Sequence, residues 1–195
     1  MNKPTAIKAQ VTKQRDVRIH AELWHTSNCL LKAGQQSVEA SAHQFRASLI
    51  FRAFALEALL NWIGPQLVPH WKYLERLKPR TKIDLLAEII HVKPDYGSYP
   101  WQIVKDLFDY RNVIAHGKPE DLENEGSENW PDVLNGPVDF IKTKWELYGT
   151  EINATKAKED VLKIAKILYE NANLKHGGPR GPFSFGFQIR RTSLY

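Results

Sequence analysis

The chain has 195 residues, 43% of them apolar, and a formal net charge of +5 at pH 7. This length suits one domain with a modest extension. The single cysteine, Cys29, excludes an internal disulfide and a cysteine-based structural zinc site. It also favours a reducing, cytoplasmic compartment, and because no apolar segment follows the basic first residues we expect no secretory signal.

Apolar residues spaced three or four apart predict an all-α chain, folded as a compact bundle of about five helices. The predicted helices cover residues 15–33, 37–62, 81–91, 101–116 and 154–174. Glycine favours the conformation that follows a helix and proline cannot continue one. Gly34 should therefore end the first helix, and Gly64 with Pro65 the second. Cys29 lies in an apolar part of the first helix, which predicts a buried thiol.

The second predicted helix has too many apolar residues for one narrow stripe, so we expect it to be the central helix of the bundle. Its apolar part, residues 47–63, contains Arg52 and Glu57. This segment is too short and too charged to span a bilayer, so no membrane association is expected.

Residues 118–150 form a turn-rich, acidic insertion in the helical pattern. Residues 119–150 hold eight acids against two basic residues, whereas residues 1–118 hold seventeen basic residues against ten acids. A basic body fits a polyanionic partner such as RNA. We interpret the insertion as a solvated loop. The alternative is a flap that gates a site or mimics a phosphate backbone.

The helical domain is predicted to cover residues 1–174, and residues 175–195 to form an extended C-terminal arm. Apolar residues of the arm alternate with polar ones, which is the two-residue period of an extended segment. They are Phe183, Phe185, Phe187 and Ile189. A lone strand is unstable in water, so the arm should dock on the bundle or on a second copy. The neighbouring Arg190 and Arg191 leave RNA stacking as an alternative.

The most informative motif lies at the end of the fourth predicted helix. Arg111 is followed directly by Asn112 and, five positions on, by His116. Gly117 ends the helix, so His116 lies in its last turn, where the partial negative charge favours an imidazolium. Histidine can move protons near neutral pH, and arginine can hold the charge that builds on a phosphoryl group.

At about 100° per residue, Arg111 and His116 lie roughly 140° apart around the helix. One helix cannot easily direct both side chains at one phosphate. Two copies whose motif helices meet at a symmetry axis could do so. The motif therefore predicts a homodimer.

The Arg111–Asn112–His116 pattern resembles the signature of the HEPN superfamily. Its members are small all-helical domains associated with nucleotides and RNA. A second match lies upstream in residues 51–61, where Glu57 is followed by an apolar pair and Asn61. This segment resembles an earlier core helix of the family. The resemblance covers roughly residues 37–173.

The resemblance implies a metal-independent endoribonuclease, a hydrolase that needs no cofactor. His116 would transfer a proton, Arg111 would stabilise the developing negative charge, and Asn112 would orient the phosphate or the histidine. Glu57 is the only acid in the apolar part of the central helix. Because a buried unpaired acid is costly, we expect it to pair with Arg111 and fix its rotamer.

Lys118, Arg190 and Arg191 are further candidates for RNA contacts. The resemblance also implies a role as a toxin or in phage defence, sometimes beside a nucleotidyltransferase-type antitoxin. The alternative function is a non-catalytic dimeric binding module for a protein or nucleotide partner. A DNA-binding regulator is less favoured, because no helix-turn-helix with a basic recognition helix is evident.

Overall fold

The computed structural model describes residues 11–37, 39, 41–123, 141–172, 174 and 181–191, and for the two strands it describes the backbone alone. The helices are α1 (Ile19–Gln36), α2 (Ser41–Leu67), α3 (Pro79–Ile89), α4 (Ile103–His116), α5 (Lys144–Tyr148) and α6 (Glu151–Asn171). Strands β1 (Val11–Asp16) and β2 (Gly186–Arg191) pair in an antiparallel ribbon. The predicted all-α class is confirmed, and the ribbon is an addition to it.

Helix α2 is the centre of the bundle, as the sequence predicts. Helices α1, α3, α4 and α6 all pack on it. Its buried apolar side chains are Phe45, Leu49, Ala53, Ala55, Leu56, Leu59, Leu60 and Ile63. A fully buried leucine or isoleucine contributes about 1.5–3 kcal/mol relative to an exposed one. Polar residues carried by α2 are therefore held on the most firmly packed element of the bundle.

By length and composition, α2 could also cross a membrane, because its 27 residues exceed the apolar stretch that the sequence indicates. The expectation that this region is too short is therefore wrong. Within the bundle, 56% of its most apolar stretch of 18 residues is buried. Arg52 and Glu57 make hydrogen bonds to other helices there. These are the surroundings of a core helix.

Gly34 and Gly64 do not end their helices as predicted. Helix α1 continues two residues further and α2 three, with Pro65 inside the final turn. Both glycines are points of close packing instead. A Cβ atom would lie 2.6 Å from the Phe45 ring at Gly34 and 2.1 Å from the Trp71 ring at Gly64. Pro65 has no N–H to donate to the carbonyl of Asn61, so this last turn lacks one helical hydrogen bond.

The starts of α1 to α4 and of α6 lie two to four residues from the predicted positions. Helix α1 starts late because residues 11–16 belong to β1. Helix α3 starts early at Pro79, whose fixed φ suits a first helical position. Helix α6 starts early because the Thr150 hydroxyl caps it, accepting the Asn153 N–H at 3.4 Å.

Cys29 is exposed, which corrects the expectation of a buried thiol. Its Sγ lies 3.5 Å from Nε2 of His25, one turn earlier on the exposed face of α1. The sequence pattern placed an apolar run here but did not show which of its members face α2.

Helix α5 lies within the segment predicted as a turn-rich insertion, which corrects that part of the prediction. A capping box starts it. The Thr143 hydroxyl accepts the Glu146 N–H at 3.3 Å, and the Glu146 carboxylate accepts the Thr143 N–H at 2.9 Å. Trp145 and Tyr148 then pack against the core. Residues 124–140, which carry four of the eight acids of the insertion, lie outside the described residues.

Residues 186–191 are extended, as predicted for the arm, but they pair with a strand that the sequence did not indicate. The register runs from Asp16 opposite Gly186 to Val11 opposite Arg191. This pairing supplies the neighbouring strand that an isolated strand lacks.

The part of the arm before β2 docks on the bundle, as expected. The Phe183 ring stacks on Trp24 with a centroid distance of 4.1 Å and an interplanar angle of 1°. Phe185 meets His25 edge-on at 5.9 Å. Of the arm residues named in the sequence analysis, Phe187, Ile189, Arg190 and Arg191 have side chains outside the described residues.

Candidate functional site

Helix α4 presents the Arg–His motif at its C-terminal end. Its first turns bury an apolar face, and its last turn becomes exposed. The buried residues are Ile103, Val104, Leu107, Phe108 and Tyr110. Arg111 is half-buried, whereas Asn112 and His116 are exposed. The motif therefore lies where a core helix leaves the bundle.

Arg111 and Glu57 form an ion pair between α4 and α2, which is the contact that the sequence predicted. Nη2 of Arg111 donates to Oε2 of Glu57 at 2.7 Å. The two side chains are 20% and 27% exposed, so the pair is partly shielded from water and from salt. A short, charge-assisted hydrogen bond of this kind restricts the arginine rotamer.

A second cation, Lys82 of α3, joins the same carboxylate. Its Nζ donates to Oε1 of Glu57 at 3.3 Å, and its side chain is fully buried. Sequence reasoning missed this residue. The available signal was its place on the buried face of α3, next to Ile83 and one turn before Leu86.

Counted as formal charges, the cluster of Glu57, Lys82 and Arg111 carries one net positive charge. A carboxylate paired with Arg111 alone would leave a neutral pair. The second cation keeps the cluster attractive to an anion while both carboxylate oxygens remain hydrogen-bonded. We call these three residues the Glu57 cluster.

Aromatic rings surround the guanidinium of Arg111. Its Cζ lies 5.8 Å from the Phe54 ring and 5.6 Å from the Phe108 ring. Its Nε is buried and has no acceptor among the described residues. Arg111 is thus held by one carboxylate and two rings, and it keeps part of its side chain open to solvent.

Tyr110, the residue before Arg111, packs this end of α4 against α5. Its ring packs 5.3 Å from that of Tyr148, and burial raises the pKa of Tyr110 to about 12. Gly149 leaves no room for a side chain here. A Cβ atom added to it would lie 2.7 Å from Cγ of Arg46 and 3.2 Å from the hydroxyl of Tyr110. These contacts pack the residue before Arg111 against Tyr148 and beside Gly149.

The remaining candidate residues are not drawn into the Glu57 cluster. Asn112, His116 and Lys118 are exposed at and beyond the end of α4. The backbones of Arg190 and Arg191 pair with residues 12 and 11 in the ribbon, and their side chains lie outside the described residues. The structure therefore brings together Glu57 and Arg111, plus the unpredicted Lys82.

No protein-family model, curated protein or solved structure matches the chain. Among the described residues, no group of three or more His, Cys, Asp and Glu side chains could hold a metal ion.

Proposed function

We propose that the protein is a HEPN-like, metal-independent endoribonuclease. The observation that carries this proposal is the ion pair that positions Arg111. A carboxylate fixes it, a second cation keeps its surroundings positive, and His116 is exposed on the same helix less than two turns away. A positioned guanidinium and an accessible imidazole are groups suited to phosphoryl transfer within RNA.

In the proposed reaction the ribose 2′-oxygen attacks the adjacent phosphorus while the bond from phosphorus to the 5′-oxygen breaks. The products are a 2′,3′-cyclic phosphate and a 5′-hydroxyl. His116 transfers the proton that the 2′-hydroxyl loses to the leaving 5′-oxygen, and Arg111 stabilises the charge on the phosphoryl oxygens. Asn112 orients the phosphate or the imidazole. Glu57 acts through Arg111, which it positions.

The active form in this proposal is a homodimer with the two α4 helices facing each other. Arg111 is on the half-buried side of α4 and His116 on the exposed side, so a second copy would complete each site. We expect a dimer by light scattering at micromolar concentration. A strictly monomeric protein would contradict this part of the proposal.

The physiological setting belongs to the same proposal. A cytoplasmic ribonuclease of this kind would act as a toxin or in phage defence, with a nucleotidyltransferase-type protein as a candidate antitoxin. Lys118 and the arm residues Arg190 and Arg191 would add contacts to RNA.

One observation favours the second candidate function, a non-catalytic dimeric binding module for a protein or nucleotide partner. Glu120, Asp121 and Glu123 are all exposed a few residues after His116. Negative charge beside the motif repels a phosphate backbone.

RNA cleavage in excess EDTA decides between the two functions. We expect the purified protein to cut single-stranded RNA and to leave 2′,3′-cyclic phosphate ends. His116→Ala should lower the rate about 10²–10⁴-fold, the usual contribution of a proton-transferring side chain. His43→Ala is the matched control, because His43 is also exposed, at the start of α2. Activity only with a divalent metal, or wild-type cleavage by His116→Ala, would overturn the mechanism.

A further inference from the structure

Phe54 is an exposed aromatic residue on the helix that otherwise forms the core. Its neighbours Ala53 and Ala55 are fully buried, whereas Phe54 is 38% exposed. Core helices place large rings inward because each buried ring removes a large apolar area from water. A single exposed ring is ordinary on a protein surface, so what sets Phe54 apart is its place beside the guanidinium of Arg111.

The ring of Phe54 lies next to the Glu57 cluster. It is 5.8 Å from Cζ of Arg111, and it is one turn before Glu57 on the same helix. Phe51 meets it edge-on at 6.3 Å with an interplanar angle of 83°. This edge contact leaves the ring oriented beside the guanidinium before any ligand arrives.

The surroundings of the ring carry net positive charge, because the carboxylate of Glu57 is shared by Arg111 and the fully buried Lys82. A phosphate is attracted to this charge, and an unpaired base attached to it needs a flat apolar surface. Proteins that bind single-stranded nucleic acid combine these two elements. In duplex RNA the bases are stacked on one another and cannot reach such a ring.

We propose that Phe54 stacks an unpaired base next to the phosphate that Arg111 holds, so that the substrate class is single-stranded RNA. The inference rests on the proposed function in one respect, namely that Arg111 meets a phosphate of RNA. It adds a residue that binds substrate and selects single strands over duplexes.

The test measures binding separately from cleavage. Fluorescence anisotropy of a labelled RNA hexamer is recorded in EDTA in the His116→Ala background, with a duplex of the same sequence in parallel. Phe54→Ala should weaken binding of the single strand about tenfold, the effect of losing one stacked base. Duplex binding should be weaker from the start and unchanged by the substitution.

Tyr73→Ala is the matched control. Tyr73 is 73% exposed and has a cation beside it, Nζ of Lys72 at 5.0 Å, but its described ring neighbours, Lys72 and His70, do not belong to the motif helix. It should bind the hexamer like the parent protein. Phe54→Leu, which keeps apolar bulk but cannot stack, takes the place of Phe54→Ala if that variant does not fold.

Each outcome separates the inference from the proposed chemistry. A Phe54 effect on binding in a protein that never cleaves RNA supports the inference and refutes catalysis. Cleavage that is normal in KM and rate after Phe54→Leu refutes the inference alone. Equal losses from Phe54→Ala and Tyr73→Ala also refute it. A dimer that dissociates on Phe54→Ala would show that a second copy covers the ring, and the inference would be wrong.

Discussion

Arg52 and Arg111 are held in different ways. Arg52 joins α2 to α1, and Arg111 joins α4 to α2. Arg52 of α2 is fully buried, with Cζ 4.0 Å over the Trp24 ring and Nη2 donating to Asn28 Oδ1 at 3.1 Å. It has no acidic partner among the described residues, and its Nε and Nη1 have no acceptor there. Arg111 is partly exposed and paired with Glu57.

The difference concerns what each cation can do. Burial lowers the pKa of Arg52 to about 9, so it is still charged at neutral pH but cannot reach a ligand in solution. Its contacts join α1 to α2. Arg111 is desolvated less and is oriented by a carboxylate, so it can bind an anion without a large rearrangement. The first arginine connects elements of the fold, and the second is suited to binding.

The largest stability effect should come from Glu57→Gln. This change leaves Lys82 fully buried and Arg111 half-buried, both without a carboxylate. Stranding a buried cation costs about 3–5 kcal/mol, and the partial exposure of Glu57 should reduce that to about 2 kcal/mol. Urea denaturation measures the free energy of unfolding. Glu88→Gln, at an exposed position on α3, is the control. Equal stability of the two variants would show that the carboxylate of Glu57 does not stabilise Lys82 and Arg111 in the folded protein.

Deleting residues 179–195 should have an intermediate effect on stability. The effect should be confined to the contacts around Trp24, the ring that Arg52 also contacts. The deletion removes the Phe183–Trp24 stack and strand β2. We expect the melting temperature to fall by several degrees, since about 1 kcal/mol corresponds to roughly 2–4 °C in a chain of this size. The rate of RNA cleavage at saturating RNA should not change, because the arm holds none of the proposed catalytic residues. Unchanged stability with weaker RNA binding would instead make the arm, with Arg190 and Arg191, an RNA contact.

The smallest effect should come from Arg52→Met. The substitution loses the Asn28 hydrogen bond and the contact with Trp24, but it also removes a desolvated charge that no carboxylate compensates. Apolar replacement of buried charges is often neutral or stabilising, so we expect a change within about 1 kcal/mol. A loss of unfolding free energy as large as that of Glu57→Gln would contradict the view that Arg52, unlike Arg111, is a replaceable buried cation.

The sequence was sufficient for the contact between Glu57 and Arg111 because each had few alternatives. Glu57 is the only acid of α2, and periodicity places Arg111 near the buried side of α4. Lys82 was missed because a lysine in an amphipathic helix usually reaches solvent. Its burial depends on a carboxylate from another helix, and such a contact leaves no mark in the local pattern.

Other features of the fold depended on contacts between distant residues. Gly34 and Gly64 have the sequence signature of helix ends, but their function is to admit the rings of Phe45 and Trp71. Residues 11–16 show no clear strand pattern, and their conformation is explained by pairing with residues 186–191. Periodicity identifies which residues of an element are buried, but it does not identify the element that covers them.

The ribbon also has a consequence for the order of folding. It pairs segments separated by almost the whole described chain, and the entropy of closing so long a loop is compensated only after the helices have brought its ends together. Strands β1 and β2 should therefore join last during folding and separate first during unfolding. Their amide hydrogens should exchange through local opening, at a lower free energy than the amides of α2, which exchange when the bundle itself unfolds.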